Sequence, residues 1–564
     1  MKKKIADLIN KHADIPKEKI IANIEMPKDS NLGDYAFPCF TLASELKKSP
    51  FQIALELAAA IDPGKDFEKI VANGPYLNFF INRSILAQDV IKTILKEKDK
   101  YGSGMSGAGK TVIIDYSAPN IGKPMHVGHI RSTLIGDSLK RLFLFQGYKV
   151  IGINYLGDIG LHIGKLIVAY ELWLNRDSLK KDPIKELLRL YVKFCEHEKS
   201  EIDSEEEDYE GNEWTKKAKE KLELIEKGDK KTISIWQKIK KDSLKGFDRI
   251  YKMLQVKFEK TTGQSEFSEK GKKVINRALS KEIATKEADS EAVFMELANL
   301  PKKYILRGNG TASYITQDIG AAVDRFEEIK FEKMIYVTDY RQQLHFQQLF
   351  AILKKLGYSF SDKCLHVPFG TLKFGNEIIA TRSGKVILLE DVLKKIIEQA
   401  GKEIKKRNSG GDPKKIALAG LKYSTLKTEP TKDTIFSWEK ALNFEGDTGP
   451  YLLYTYARAR NILRKAKYKS SSKSLTSNLD DTEKALILQL SQFPNIAQQA
   501  YEQYSPNLIA NYAFQIAQAF NVFYHKNQVI GSEQESFRLV LVDSFSQVLK
   551  NALNLLGIQV LEEM

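Results

Sequence analysis

Two histidines separated by a valine and a glycine, His126 and His129, are the residues of this chain best suited by type and spacing to chemistry. The apolar run Thr111–Ile114 predicts a buried strand before them, and apolar residues at helical spacing follow them. Where a strand turns into a helix, the first helical N–H groups lack partners and attract an anion. Two imidazoles add donors there, and Gly128 has no Cβ to keep a flat group away. The sequence therefore predicts a phosphate-binding corner.

The same two histidines could instead be solvated turn residues or half of a metal site. Zinc would need a second pair of ligands. The three cysteines, Cys39, Cys195 and Cys364, lie far apart in the sequence and do not supply one. We therefore expect no protein-bound metal.

A parallel sheet is the element that must position this corner. From Lys110 onward, strand and helix patterns alternate, and Lys149–Tyr155 is the strand expected after the first helix. Right-handed crossovers bring the carboxyl ends of such strands to one edge, where ligands bind. Asp115, Asn120 and the two histidines should share that crevice.

The composition describes a soluble globular protein of several domains. The chain has 564 residues, of which 43% are hydrophobic and 28% are charged, so three or four domains are expected. We find no apolar run that would span a membrane and no secretory signal, and the isolated cysteines fit a reducing cytosol. A cytoplasmic location is therefore predicted.

The net charge of +15 suggests a polyanionic partner, because basic proteins gain affinity for nucleic acids by releasing counterions. A solvated, lysine-rich surface is an equally good explanation of the charge alone.

The sequence divides into four predicted regions. Residues 1–108 form a small α+β module that ends in a glycine- and serine-rich linker. Residues 109–370 form the parallel-sheet core, into which a charged, helical stretch without strand signals, about 175–283, is inserted. Residues 371–440 connect the core to 441–564, which has the pattern of an all-α bundle.

Four finer predictions concern single elements. Ala43–Ile61 has the pattern of one helix, and Gly74–Asn82 has that of a strand. Residues 31–40, NLGDYAFPCF, are interpreted as a turn-rich connection. The sheet of the core should resume near Tyr304.

Three stretches resemble one enzyme family. DYSAPNIGKPMHVGHIR, Asp115 to Arg131, resembles the HIGH signature of class I aminoacyl-tRNA synthetases and, through SAPNIGKPM, the arginyl-tRNA synthetases in particular. Residues 308–345 resemble the second half of that family's core, and GDTGPYLLYTYARAR, Gly446 to Arg460, resembles the start of its anticodon-binding domain. The resemblance implies a Rossmann-type catalytic core with a helical insertion, an N-terminal module that contacts tRNA and a helical anticodon-binding bundle.

The resemblance also implies a reaction. Enzymes of this family use ATP, accompanied by Mg²⁺, to activate L-arginine and then transfer it to the 3′-terminal adenosine of tRNA(Arg). By resemblance, His126 and His129 donate to the phosphates of ATP, and Gly128 lets the adenosine approach. Lys123 neutralises the leaving pyrophosphate.

Five residues are assigned to the amino acid by the same resemblance. Asp115 and Asp318 would bind the guanidinium group, since a buried cation needs carboxylate partners. Tyr314 would pack on the substrate side chain or hydrogen-bond to it. Asn120 and Gln342 would hold the α-amino and carboxylate groups.

The KMSKS loop of the family matches this chain poorly. Ile378 and Thr381 stand where the family has lysines, and Arg382 follows. Thr381 and Arg382 are nevertheless the ATP-binding candidates at this position. The resemblance implies that Lys123 takes over from the missing lysine.

The predicted partners are tRNA(Arg) and L-arginine, without DNA or a membrane, and the protein is predicted to be a monomer. A basic ridge of Arg458, Arg460, Arg464 and Lys465 is the tRNA-binding candidate. Two alternatives remain, a class I synthetase for another amino acid and a tRNA-binding paralogue without catalysis.

Overall fold

The computed structural model describes residues 1–13, 15–27, 29–200, 212–374, 388–408, 410–469 and 479–564. These residues form two compact units. The first consists of Met1–Lys98, Ile462–Gln492 and Gln518–Val548, and the second consists of Asp99–Asn461, Phe493–Ala517 and Leu549–Met564. Within these described ranges, no helix is both long enough and apolar enough to cross a membrane.

The N-terminal part of the first unit is a small antiparallel sheet with helices. Its elements are α1 (Lys2–Ala13), α2 (Lys17–Asn23), β1 (Tyr35–Pro38), α3 (Ala43–Leu46), α4 (Pro50–Ala60), β2 (Phe67–Asn73), β3 (Tyr76–Ile81) and α5 (Arg83–Glu97). The strand order is β1-β3-β2.

Two local predictions for this module are wrong. Residues 31–40 are more than a connection, because four of them form β1, whose residues are all buried against the module. The predicted single helix is two helices, since Lys47 adopts a positive φ and ends α3. Ser49 then caps α4 by accepting a hydrogen bond from the backbone N–H of Gln52. The predicted strand after Gly74 is confirmed as β3.

The second unit begins with the core. Its elements are β4 (Thr111–Asp115), α6 (Gly128–Phe145), β5 (Lys149–Leu156), α7 (Leu161–Trp173), α8 (Arg176–Lys181), α9 (Pro183–Ser200), α10 (Glu213–Glu226), α11 (Lys230–Leu254), β6 (Lys260–Gly263), α12 (Ser268–Ser280), β7 (Thr285–Lys286), β8 (Val293–Leu297), β9 (Leu300–Leu306), α13 (Tyr314–Ile329), β10 (Lys333–Asp339), α14 (Gln343–Lys355), β11 (Cys364–Phe369), β12 (Leu372–Phe374), α15 (Leu389–Lys406), α16 (Pro413–Leu426), β13 (Thr434–Phe436) and α17 (Trp438–Ala441).

The central sheet has five parallel strands in the order β11-β10-β4-β5-β6. The chain leaves β4 toward β5 on one side, and β10 pairs with β4 on the other side. In such sheets ligands bind at the carboxyl ends of the strands, where the two directions diverge. Asp115, the last residue of β4, lies at this point, and the predicted Rossmann-type α/β core is confirmed.

Two strand predictions for the core are wrong. Residues 175–283 contain β6, which pairs with β5 from Ile153 to Leu156. Its sequence, KTTG, is short and polar, so no apolar run marks it, and the edge of β5 supplies its hydrogen bonds. The strand around Tyr304 does not continue the parallel sheet either, because β7, β8 and β9 form a separate antiparallel sheet.

Helix α6, which follows the histidines, is anchored by residues far along the chain. Of the four apolar positions at helical spacing, Ile130, Leu134 and Leu142 are buried, and Phe145 is half-buried. The hydroxyl of Ser138 donates to the carbonyl of Leu555 at 2.8 Å. Nearby, Lys422 of α16 donates to the carbonyl of Gly557 at 2.6 Å. Residues 554–557 therefore belong to the packing of the catalytic core.

The regular elements that the structure describes after Ala441 are all helices. Its helices are α18 (Gly449–Lys465), α19 (Asp481–Glu502), α20 (Asn507–Lys526) and α21 (Glu535–Leu555). Aromatic side chains fill their interior, as in the stack of Phe520 on Phe545, whose ring centroids lie 4.0 Å apart.

Candidate active site

The turn between β4 and α6 is held in an unusual backbone conformation by the helix that follows it. Ser117 and Ala118 both have positive φ angles, of 75° and 48°, which cost free energy in residues other than glycine. The backbone N–H of Ser117 donates to Ser132 at 2.8 Å, and its hydroxyl accepts from Thr133 at 2.8 Å. The polar first turns of α6 thus fix the path of the chain above β4.

The two histidines are neutral donors. Their ring centroids lie 4.1 Å apart. The Nδ1 atom of His126 accepts from the backbone N–H of Gly128, and Nδ1 of His129 accepts from that of His126, each at 3.1 Å. Burial lowers the pKa of His126 to about 4, with help from Lys123, and burial lowers the pKa of His129 to about 3. Nε2 of His126 therefore carries the hydrogen of that ring and can donate to an anion, whereas Nδ1 of His129 also lies 3.2 Å from the carbonyl oxygen of His126, a contact open to either tautomer.

Lys123 and a third histidine lie beside this pair. The ammonium of Lys123 is 4.3 Å from the ring centroid of Tyr191. Burial lowers the pKa of His162 to about 4, and the charge of Lys123 lowers it further. Sequence reasoning missed His162. Its position directly after β5, at the start of α7, was the available signal, because that is the same edge of the sheet.

The turn after β5 joins the histidine side of the site to α13. Gly160 has a φ of 133°, and a Cβ built there would lie 3.1 Å from the hydroxyl of Tyr314 and 3.4 Å from Nδ1 of His162. Asn120 lies over the same turn, since a Cβ on Gly157 would overlap its Oδ1 atom. Tyr314, Asn120 and His162 therefore converge around this turn.

Two carboxylates lie at the other end of the site, and each already has a partner. Oδ2 of Asp318 accepts from Nε2 of His345 at 2.7 Å. Oδ2 of Asp115 accepts from Nη1 of Arg325 at 2.8 Å, and both side chains are buried. Burial, and to a lesser extent the charge of Asp318, raises the pKa of Asp115 to about 6 against the opposing charge of Arg325. The two acids are thus electrostatic neighbours. Sequence reasoning missed His345.

Of the remaining predicted ligands, the structure describes Gln342 but not Thr381 or Arg382. Gln342 ends the short turn after β10 and is exposed at the same edge of the sheet. Thr381 and Arg382 lie outside the described residues. The chain that follows them returns to the corner, because Leu389 donates its backbone N–H to Met125 at 2.9 Å.

Arg131 of α6 binds the backbone at Gly370, just before β12, and at residues 429 and 432. Its side chain is fully buried. Its guanidinium donates to three backbone carbonyls, those of Gly370 at 3.1 Å, Glu429 at 3.3 Å and Lys432. Sequence reasoning did not assign it a role, although it belongs to the signature stretch.

Three family profiles match the chain. They are described as tRNA synthetases class I (R), catalytic domain, at residues 90–438, DALR anticodon binding domain at 452–564, and Arginyl tRNA synthetase N terminal domain at 1–81. The arginine–tRNA ligase of Clostridium botulinum strain Alaska E43 is 40% identical over 100% of both chains. That of Clostridium perfringens strain 13 is 39% identical over 100% of both chains.

The chain belongs to the arginyl-tRNA synthetase family. Its fold is also that of solved members. The arginyl-tRNA synthetases of Thermus thermophilus and Plasmodium falciparum each superpose with a TM-score of 0.80 at 24% identity. They cover 96% and 100% of this chain, which covers 96% and 98% of theirs. The family and the fold class predicted from the sequence are confirmed. The predicted domain boundaries and the roles of the site residues stay predictions.

The four basic residues predicted to bind tRNA do not share one face of α18. At 100° per residue, Arg458 and Lys465 lie on one side of the helix, and Arg460 and Arg464 lie on another. Arg460 pairs with Glu562 at 2.8 Å, whereas Arg464 and Lys465 are exposed. These four residues therefore do not form one basic ridge, and the exposed Arg464 and Lys465 are the better candidates for a phosphate contact.

Among the residues that the structure describes, no group of three or more histidines, cysteines, aspartates or glutamates could hold a metal ion. The neutral imidazoles and the start of α6 suit an anion instead.

Proposed function

We propose that this protein is an arginine–tRNA ligase. It activates L-arginine with ATP to give arginyl-adenylate and pyrophosphate, and it transfers the arginyl group to the 3′-terminal adenosine of tRNA(Arg). The carboxylate of Asp318, held by His345 in a pocket that also contains Asp115, is the observation that carries the proposal. The full-length similarity to arginine–tRNA ligases supports it.

In the first step a carboxylate oxygen of arginine attacks the α-phosphorus of ATP. The bond from oxygen to phosphorus forms, and the bond from that phosphorus to the pyrophosphate oxygen breaks. Such a reaction needs alignment and positive charge rather than covalent help. Donation from Nε2 of His126 and His129, at the start of α6, stabilises the charge that gathers on phosphate. Lys123 neutralises the pyrophosphate, and Mg²⁺ bound to ATP supplies further positive charge.

The amino-acid pocket selects a planar cation. Asp318 accepts hydrogen bonds from the substrate guanidinium, whose fork geometry distinguishes arginine from lysine. Tyr314 packs on the substrate side chain. Asn120 and Gln342, at the ends of neighbouring strands, hold the α-amino and carboxylate groups.

The second substrate is a tRNA. The net charge of +15 favours a polyanion, and the DALR match at residues 452–564 supports anticodon binding by the C-terminal helices. We propose that the protein works as a monomer in the cytoplasm. Its cysteines are free, which fits a reducing compartment.

Charging of total tRNA with each of the twenty amino acids tests the proposal, and arginine alone should be incorporated. The variant Asp318→Asn should then raise the KM for arginine roughly 30-fold or more, because it removes one member of a buried charge pair. Asp324→Asn is the matched control, since Asp324 lies on the same helix but pairs with Lys270 at the surface. Charging of another amino acid, or equal effects of the two variants, would overturn the proposal.

A further inference from the structure

The amino-acid pocket already contains a guanidinium group of the chain itself. Arg325 lies on α13, the helix that also carries Tyr314 and Asp318, and its side chain is 3% exposed. One of its nitrogens, Nη1, donates to Asp115. Its guanidinium carbon lies 4.7 Å from the ring centroid of Tyr155. The guanidinium of the substrate would thus bind beside the guanidinium of Arg325.

The bonding of Arg325 is incomplete. Its Nε and Nη2 atoms are buried and have no hydrogen-bond partner among the described residues. The phenol oxygens of Tyr155 and Tyr336, its electrostatic neighbours, are buried without a partner in the same part of the chain. Proteins rarely leave several such atoms together in a core, because each forfeits its bonds to water. In a purely structural ion pair, the guanidinium nitrogens would be expected to have hydrogen-bond partners. The unpaired Nε and Nη2 of Arg325 therefore indicate a functional arrangement.

The charges of the pocket add up to a single negative charge. Asp115 and Asp318 contribute two negative charges, and Arg325 cancels one of them, which leaves the charge that one substrate guanidinium neutralises. Without Arg325 the two carboxylates would repel each other in a buried site, and one of them would take up a proton. Since burial alone favours the neutral form of Asp115, that residue would be the one protonated.

We propose that Arg325 is a positioning residue for arginine specificity, which acts through Asp115. It occupies one carboxylate oxygen, Oδ2, holds the acid in its ionised form and leaves Oδ1 for the substrate guanidinium. The inference rests on the proposed function, because it assigns a partner to the acid that recognises the substrate.

The pH dependence of arginine binding distinguishes this role from a structural one. The groups around Asp115 are Arg325 and Asp318 on α13, Tyr155 on β5, Tyr336 on β10 and Cys364 on β11. Burial raises the pKa of both tyrosines, and it raises the pKa of Cys364 to about 12. Tyr155, Tyr336 and Cys364 therefore stay neutral between pH 6 and 9, and a change in that range reports the two acids together with His345, the imidazole bonded to Asp318.

The experiment measures KM for arginine and kcat for charging of tRNA(Arg) from pH 6 to 9. For the full-length protein, KM should be nearly constant above pH 7. In Arg325→Met, KM at pH 7 should rise roughly tenfold and should fall again toward pH 9 as Asp115 loses its proton, because one pKa unit is a tenfold change in ionisation. The value of kcat at saturating arginine should change much less. Arg325→Lys keeps the charge and should restore a flat profile.

A double-mutant cycle with Asp115→Asn completes the test. Since Arg325 acts through Asp115, adding Arg325→Met to Asp115→Asn should not raise KM further. The double variant removes both members of the buried ion pair and therefore leaves no unpaired charge. It should keep its fold even if Arg325→Met alone fails to fold. Additive losses, or a wild-type pH profile in Arg325→Met, would overturn the inference while leaving arginine charging by the wild type intact. Failure of the wild type to charge arginine would overturn both proposals.

Discussion

Removal of the imidazole that holds Asp318 should weaken arginine binding without affecting ATP. His345 lies in the first turn of α14, and its Nε2 donates to Asp318 at 2.7 Å. The side chains are 24% and 13% exposed, so the bond is partly shielded from water. A hydrogen bond to a carboxylate in such a place contributes about 1 to 2 kcal/mol. His345→Ala should therefore raise KM for arginine roughly 5- to 30-fold.

The assay is steady-state charging of tRNA(Arg), with arginine and ATP varied in turn. KM for ATP serves as the internal control, because the phosphate corner lies at another part of the site. His345→Gln is the matched variant, since its amide N–H can reach the same oxygen and should recover most of the affinity. A KM for arginine within twofold of wild type in His345→Ala, or an equal rise in both constants, would refute the assigned role.

Three further outcomes follow from the site. Gly160→Ala should raise KM for arginine roughly tenfold, because the backbone conformation there costs another residue about 1 to 3 kcal/mol and the new methyl lies against Tyr314; titration with arginine at saturating ATP checks this. The lowered pKa values of His126 and His129 mean that the unfolded chain binds more protons below pH 6.5, so stability should fall by about 1 to 2 kcal/mol per ring by pH 5; denaturant unfolding of wild type and His129→Gln at pH 7 and 5 measures the difference. Arg131→Met leaves the buried carbonyl of Gly370 and the partly buried carbonyls of Glu429 and Lys432 without their donor, and it should lower stability by about 2 to 4 kcal/mol, with Arg131→Lys losing less in the same thermal melts.

The strand, turn and helix that carry the two histidines could be predicted because their signals are local. The apolar run of β4, the glycine between the two histidines and the helical spacing of α6 lie within 35 consecutive residues, Thr111–Phe145. Secondary-structure propensity and side-chain period act at that range. The exception, β6, follows the same logic. Lys260–Gly263 has no apolar pattern of its own and becomes a strand because β5 offers an edge.

The partners of the two acids could not be predicted in this way. Asp115 and Arg325 are 210 residues apart in the sequence, and Asp318 and His345 are 27 residues apart. Which hydrogen-bond donor reaches which acid depends on the order of strands and on the rotation of α13, and neither is encoded in local spacing. His162 could have been predicted, because it follows β5, and the neighbouring strand β4 already carried predicted site residues.

The contact of α6 with residues 554–557 has a consequence for how the enzyme is made. Ser138 meets its carbonyl partner 417 residues later in the chain. A ribosome that has finished the five-stranded parallel sheet has therefore not yet released the segment that covers one side of α6. During that interval the nascent chain exposes apolar surface, a state that invites aggregation or chaperone binding. Catalytic competence is accordingly a late event of synthesis, reached only when the anticodon-binding helices have emerged.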